Sequence, residues 1–181
     1  MDDYTISLDP ETEMFCTLYL FKDVQNSDEI RKKILNGELC CSIIKADLIV
    51  DPLQLIVAAN KAVLSAKMNR LTTKSLYTEV LFNLSMSKNI MRTLVEFGIS
   101  DNDKNILVML IYKNNEEKES VLKILIDTIK GERISVSRLP EFTDFERIER
   151  FYKIEKDELN ISSLTNSVVS RISCKEFILL K

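Results

Sequence analysis

Residues 51–67, DPLQLIVAANKAVLSAK, constrain the fold more than any other part of the sequence. Asp51 can accept a free backbone N–H at a helix start, and Pro52 suits the first helical position because no donor is lost there. Nearly every residue after Pro52 is apolar or alanine, which is typical of a helix that is buried on most sides. We therefore predict a central buried helix that begins at Asp51.

The polar residues of this helix fall on narrow strips. At 100° per residue Gln54, Lys61 and Ser65 share one strip, so we expect this strip to face water or a partner. Within residues 52–78 the chain carries four cations and no acid, although its net charge is −3: Lys61, Lys67, Arg70 and Lys74. Such a local positive surface can hold a phosphate backbone. The alternative is a solvated surface that balances neighbouring acids.

The composition favours one compact globular domain over residues 1–181. The chain is 45% hydrophobic and has only three glycines and three prolines, which leaves little room for flexible linkers. Its four cysteines lack a CxxC spacing, so we expect reduced thiols in an intracellular protein. The acidic N-terminus does not resemble a secretory signal, and no uncharged apolar run approaches about 20 residues. We expect a protein of the cytosol and nucleus with no membrane contact.

Helical and extended patterns alternate irregularly along the chain. Strands are predicted at 14–24 and 105–112, with shorter extended segments at 43–50 and 134–136. Helices are predicted from caps at Asn26, Asp51, Ser87 and Thr143, and over residues 75–83, 116–130 and about 160–174. Gly98 is predicted as a left-handed helix end. Together these elements indicate an α+β fold, in which several helices pack around a small mixed or antiparallel sheet.

Residue types that carry catalysis are scarce. The chain has no histidine, so a Ser-His or Cys-His nucleophile is impossible. No phosphate-binding glycine loop occurs. The carboxylate pairs fall in loops or at helix starts, where they suit the helix dipole better than a metal ion. We expect no catalytic residue, metal site or cofactor, and the rival hypothesis is an enzyme with an unrecognised carboxylate site.

The last predicted helix has an apolar stripe formed by Ile161, Leu164, Val168 and Ile172, with Val169 beside it. The chain then ends in Phe177, Ile178, Leu179 and Leu180. An exposed apolar helix face is a usual docking surface for another protein. The alternative is a core helix with a frayed end.

Four sequence strings point to a family. They are FKDV with the basic helix after it (21–33), IVDPLQLIVAANKAV (49–63), TEVLFNLS (78–85) and EFGIS (96–100). In this order, along nearly the whole chain, they resemble the TPRKB (PRPK-binding protein) family, the small kinase-binding subunits of the KEOPS/EKC complex. Residues 177–181 run past the similar region, so the resemblance does not support them as a docking element.

The resemblance implies a non-catalytic subunit that binds the N-lobe of a PRPK-type atypical kinase/ATPase. That complex makes threonylcarbamoyl-adenosine on tRNA, and family members help to recruit tRNA through its 3′ end. The candidate kinase-binding residues are Leu164, Val168, Val169 and Ile172, and the candidate tRNA-binding residues are Lys61, Arg70 and Lys74. The alternative is a kinase regulator or scaffold without direct RNA contact.

Overall fold

An antiparallel sheet forms the middle of the computed structural model, which describes residues 4–178. Its strands are β1 (Tyr4–Ser7), β2 (Phe15–Lys22), β3 (Ser42–Lys45), β4 (Ile106–Tyr112) and β5 (Glu132–Ile134). The order is β1-β2-β4-β3, and β5 pairs with the last three residues of β2. Of the mixed and antiparallel sheets that the sequence left open, the chain forms the antiparallel one.

Strand β4 is buried on both faces of the sheet. All seven of its residues are buried, as the unbroken apolar run at 105–112 predicted. Leu107, Met109 and Ile111 belong to one hydrophobic core, while Ile106, Val108, Leu110 and Tyr112 belong to the other. Because successive side chains of a strand point to opposite faces, β4 divides two separate cores.

Helices cover both faces of this sheet. They are α1 (Ser27–Leu35), α2 (Pro52–Lys67), α3 (Leu76–Leu84), α4 (Ile90–Phe97), α5 (Asn115–Thr128), α6 (Phe145–Tyr152), α7 (Lys156–Leu159), α8 (Leu164–Ser173) and α9 (Lys175–Ile178). Helices α1 and α5 supply the smaller core, while α2, α3, α6 and α8 supply the larger one. The predicted α+β fold is confirmed: the chain forms a single compact α+β domain.

Helix α2 is central, as predicted. Asp51 caps it by accepting the Leu53 N–H at 2.8 Å, with Pro52 at the first helical position. Ala58, Ala59 and Ala62 are fully buried, so their small side chains let α3 and α8 pack closely on α2.

The prediction that Gln54 faces water or a partner is wrong. Its side chain is fully buried, because α6 covers the N-terminal end of the polar strip. Gln54 Nε2 donates to the Leu48 carbonyl at 3.1 Å and to the Tyr152 hydroxyl at 3.0 Å, and Gln54 Oε1 accepts the Val50 N–H. The Tyr152 hydroxyl in turn donates to the Leu84 carbonyl at 2.6 Å. This buried network connects α2, α3 and α6.

The predicted ends of α4 are also wrong. Asn89 rather than Ser87 caps the helix, because its Oδ1 accepts the Arg92 N–H at 3.0 Å. Gly98 has φ −73°, which is not left-handed. A glycine is nevertheless required there, because a Cβ at Gly98 would lie 2.5 Å from the Leu94 carbonyl oxygen.

Two further cap residues bond elsewhere. Asn26 precedes α1, but its side chain donates to the Thr128 carbonyl and accepts the Lys130 N–H, so it joins α1 to the end of α5. Asp144 caps α6 instead of Thr143, whose hydroxyl bonds carbonyl oxygens outside the helix. Asn26 combines its long-range bonds with a local one from Nδ2 to Glu29 Oε2 at 3.0 Å, and Thr143 bonds the Ile49 and Leu139 carbonyls in place of the helix start.

Candidate functional site

The apolar stripe of α8 faces inward. Val168 and Ile172 are 0% exposed and lie in the larger core, so their prediction as exposed docking side chains is wrong. Val168 and Ile172 are buried because α2 and α6 pack against the apolar stripe of α8. Leu164 is half-buried at the edge of this core, and Val169, beside the stripe, is half-buried as well. Of the four predicted kinase-binding residues, only Leu164 and Val169 keep accessible surface.

Two exposed apolar side chains flank α8. Ile161 is 89% exposed, because α8 begins only at Leu164 and Ile161 lies in the turn before it. Its predicted place on the core stripe is therefore wrong. Phe177, in α9, is 72% exposed. Leu179 and Leu180 of the predicted apolar end lie outside the described residues. Ile161, Leu164, Val169 and Phe177 are the apolar residues of known exposure that remain accessible along α8, α9 and the turn before α8, and we refer to them together as the C-terminal apolar surface.

A bidentate salt bridge holds the turn that carries Ile161. Arg171 in α8 donates from both terminal nitrogens to the two carboxylate oxygens of Glu158, each at 2.7 Å, and also to the Lys153 carbonyl. The hydrogen bonds from Arg171 lower the pKa of Glu158 to about 2. The turn is therefore tied to α8.

The four predicted cations separate into two pairs. Lys61 Nζ donates to the Ile172 carbonyl at 2.6 Å and to the Glu176 carboxylate at 2.8 Å, so it caps the end of α8. Lys67 Nζ donates to the carbonyl and carboxylate of Glu11. Arg70 and Lys74 lie on the exposed loop before α3, and neither forms a salt bridge within residues 4–178.

A buried carboxylate shapes the loop that carries Arg70 and Lys74. Glu79 accepts the Thr72 N–H at 3.2 Å and both the N–H and the hydroxyl of Thr73 at 2.7 Å. These bonds involve both of its oxygens, so Glu79 connects the loop to α3.

An open cleft of about 290 Å³ lies between this loop and α9. Residues of α2, α3, the adjoining loops and α9 line it: Ser65, Arg70, Thr72, Glu79, Phe82, Asn83, Lys88, Lys175 and Glu176. We call this the basic cleft, because three of these side chains are cations and two are carboxylates. Cationic and hydroxyl side chains are the groups that contact phosphate, so the cleft is suited to an anion.

Lys175 is the residue of the cleft that sequence reasoning missed. It is 2% exposed, donates to the Phe82 carbonyl, and places Nζ 3.4 Å from the centre of the Phe82 ring. Burial, and then the charge of Lys61, lower its pKa to about 8. No local pattern distinguishes this lysine from a solvated one near a chain end. Lys88, which also lines the cleft, was missed for the same reason.

Neither a metal centre nor a membrane segment is found in the described part of the chain. Residues 4–178 hold no group of three or more His, Cys, Asp or Glu side chains that could bind a metal ion. None of the helices described there is both long and apolar enough to cross a bilayer.

The fold and these two surfaces define a class, namely a small α+β domain with accessible apolar side chains along its last helices and a basic cleft beside α9. The family model described as "Kinase binding protein CGI-121" matches residues 21–176. The chain therefore belongs to the CGI-121 family, and the resemblance to the TPRKB proteins is confirmed.

Named relatives cover most of the chain. A Danio rerio protein named "EKC/KEOPS complex subunit TPRKB" is 38% identical over 164 residues, which is 91% of this chain and 93% of that protein. An Eremothecium gossypii protein named "EKC/KEOPS complex subunit CGI121" is 31% identical over 83% of this chain and 85% of its own length. A Yarrowia lipolytica protein of the same name is 27% identical over 80% of this chain and 83% of its own.

Proposed function

We propose that this chain is a non-catalytic subunit of an EKC/KEOPS complex that binds a PRPK-type atypical kinase/ATPase. The observation that carries this proposal is the 38% identity, over nearly the whole of both chains, to a protein named as a subunit of that complex. The family description as kinase-binding proteins supports the choice of partner. The absence of histidine from the sequence supports a role in binding rather than in catalysis. We place this role in the cytosol and nucleus.

The C-terminal apolar surface is our candidate for the kinase contact. Ile161 and Phe177 are exposed, Leu164 and Val169 are half-buried, and the salt bridge between Arg171 and Glu158 ties the turn that carries Ile161 to α8. Val169 is the residue to test, because it is half-buried and an arginine there can extend into water without entering the core. Val168 and Ile172 are unsuitable, because a change at either would damage the core itself.

The test is co-purification of Val169→Arg with the kinase. We expect at least about tenfold weaker binding, because the arginine would place a charge in an apolar interface. Val95→Arg is the matched control, since Val95 is an exposed valine on a different helix, α4. If a folded Val169→Arg variant binds the kinase as well as Val95→Arg does, the kinase contact lies elsewhere. If the wild-type chain does not bind the kinase at all, the proposed role itself is wrong.

We further propose that the basic cleft helps to recruit tRNA through its 3′ end and so supports threonylcarbamoyl-adenosine modification. Arg70, which lines the cleft, and Lys74, which lies on the same loop, are the best candidates for phosphate contacts, because both are exposed and Glu79 bonds the loop that carries them. Lys61, the third predicted residue, is occupied by Glu176 and the end of α8. A single-stranded nucleic acid end fits an open cleft of this kind better than a duplex does.

This proposal is tested by the binding of labelled tRNA to the double variant Arg70→Ala/Lys74→Ala. Each lost phosphate contact should reduce the slope of log affinity against log salt by about 0.7 for a single strand. Arg31→Ala/Lys32→Ala is the matched control, because it removes the same two charges from α1, over the opposite core. Removing the 3′-terminal nucleotides of the tRNA should weaken binding by the wild type and have little effect on the Arg70/Lys74 variant.

The alternative is a kinase regulator or scaffold without direct RNA contact. It would be favoured if the Arg70/Lys74 variant binds tRNA with wild-type affinity and salt slope while kinase binding remains. An enzyme is the rival from another class, and turnover of nucleotide by the isolated chain would support it.

A further inference from the structure

Glu176 holds an unusual position at the mouth of the basic cleft. Its side chain is 61% exposed and lines the cleft, and its carboxylate is bonded at 2.8 Å to Nζ of Lys61, which does not itself line the cleft. Burial is the largest single influence on the pKa of Glu176 and acts to raise it, but the hydrogen bonds from Lys61 and the backbone and the charges of Lys61 and Lys175 together lower the pKa. A negative charge of the chain itself therefore lies where an anionic ligand would approach.

The segment that carries Glu176 is anchored independently of this ion pair. Lys175, the preceding residue, is buried, donates to the Phe82 carbonyl and lies over the Phe82 ring. Lys61 also donates to the Ile172 carbonyl at 2.6 Å, which does not involve the Glu176 side chain. Removing the Glu176 charge should therefore leave α9 in place and free one hydrogen-bond donor of Lys61.

The geometry points to Glu176 as a residue that sets the selectivity of the basic cleft, by occupying Lys61 with an internal carboxylate in place of a ligand phosphate. This inference rests on the proposed binding of tRNA in the cleft. A single phosphate must compete with Glu176 for Lys61 and gains one contact. A nucleic acid strand can bind Arg70 and Lys74 at the same time, so it tolerates the repulsion from Glu176. The Glu176 carboxylate thus weakens the binding of small anions more than it weakens the binding of a polyanionic strand.

The chain supplies a matched control for this inference. Lys67 and Glu11 form a second ion pair with a lysine of α2, at 3.1 Å, and neither residue lines the cleft. Glu11→Gln therefore makes the same change in net charge as Glu176→Gln, but away from the cleft. The variant Lys61→Ala/Glu176→Gln removes both members of the Lys61–Glu176 pair, of which Glu176 lines the cleft.

The experiment measures fluorescence anisotropy of labelled tRNA, and competition by inorganic phosphate, over a series of salt concentrations. We expect Glu176→Gln to bind tRNA about threefold to tenfold more tightly, because repulsion is lost and Lys61 gains a phosphate. Its salt slope should rise by about 0.7, and phosphate should compete at a lower concentration than with the wild type. Lys61→Ala/Glu176→Gln should lose the gain, and Glu11→Gln should match the wild type.

The outcomes separate this inference from the function on which it rests. If Glu176→Gln binds tRNA and phosphate as Glu11→Gln does, while Arg70→Ala/Lys74→Ala binds tRNA weakly, Glu176 has no selective role and the tRNA proposal stands. If Arg70→Ala/Lys74→Ala binds like the wild type and Glu176→Gln has no effect, both are wrong. Thermal unfolding of each variant near the wild-type temperature confirms that the fold is intact.

Discussion

Tyr152→Phe tests the buried network that connects α2, α3 and α6. The change removes one oxygen atom and leaves a ring of nearly the same volume, so it creates almost no cavity. The lost hydroxyl donates to the Leu84 carbonyl at 2.6 Å and accepts from Gln54 Nε2 at 3.0 Å. Gln54 keeps its bond to the Leu48 carbonyl, but the Leu84 carbonyl, in the last turn of α3, has no intrahelical partner to replace the hydroxyl.

An unsatisfied buried carbonyl costs about 1–3 kcal/mol, so we expect the variant to lose about 2 kcal/mol of unfolding free energy. For a chain of this length that corresponds to a fall of about 4–8 °C in the unfolding temperature. Urea denaturation should show a lower midpoint at an unchanged slope, because the surface exposed on unfolding is the same.

Tyr77→Phe is the matched control for this measurement. Tyr77 is half-buried, and its hydroxyl has no hydrogen bond to any residue that the structure describes. We expect it to stay within about 0.5 kcal/mol of the wild type. If Tyr152→Phe is as stable as Tyr77→Phe, the hydroxyl does not hold the three helices together and the reasoning is refuted.

Three further predictions concern stability. In urea denaturation the Val168→Arg variant should lose about 4 kcal/mol or more of unfolding free energy, because it buries an unpaired charge, whereas Val169→Arg should stay within about 1 kcal/mol of the wild type. Similar losses in both variants would contradict the observed orientation of α8. Gly131→Ala should cost about 1–3 kcal/mol of the same unfolding free energy, because the alanine Cβ would lie 2.8 Å from Val24 Cγ2. An unchanged urea midpoint would mean that the chain before β5 shifts to make room. Glu158→Gln should remove part of the acid sensitivity of unfolding. The pKa of Glu158 in the folded state is about 2, below the ordinary 4.5. The carboxylate therefore stabilises the fold fully above about pH 4.5 and loses this effect as pH falls through about 2. Wild type and Glu158→Gln should therefore converge in stability near pH 2, and parallel pH curves would disprove this prediction.

Local sequence signals determined much of the fold. The apolar run at 105–112 predicted β4 because a short unbroken run suits a strand buried on both faces. The Asp51 and Pro52 pair predicted the start of α2, because cap and first-turn bonds involve neighbours in the chain. The sequence strings also determined the family, because they depend only on the order of residues.

Only the tertiary structure decided what each surface is available to do. The period of α8 located its apolar stripe, but whether that stripe faced a partner or the core depended on α2, about 110 residues earlier in the chain. Lys61 and Gln54 share a strip of α2, yet one caps α8 and the other is buried beneath α6. Helical periodicity gives the direction of each side chain around the axis of one helix, whereas the exposure of that side chain depends on distant segments that pack against the helix. For that reason the sequence predicted the helices well and the exposed contact residues poorly.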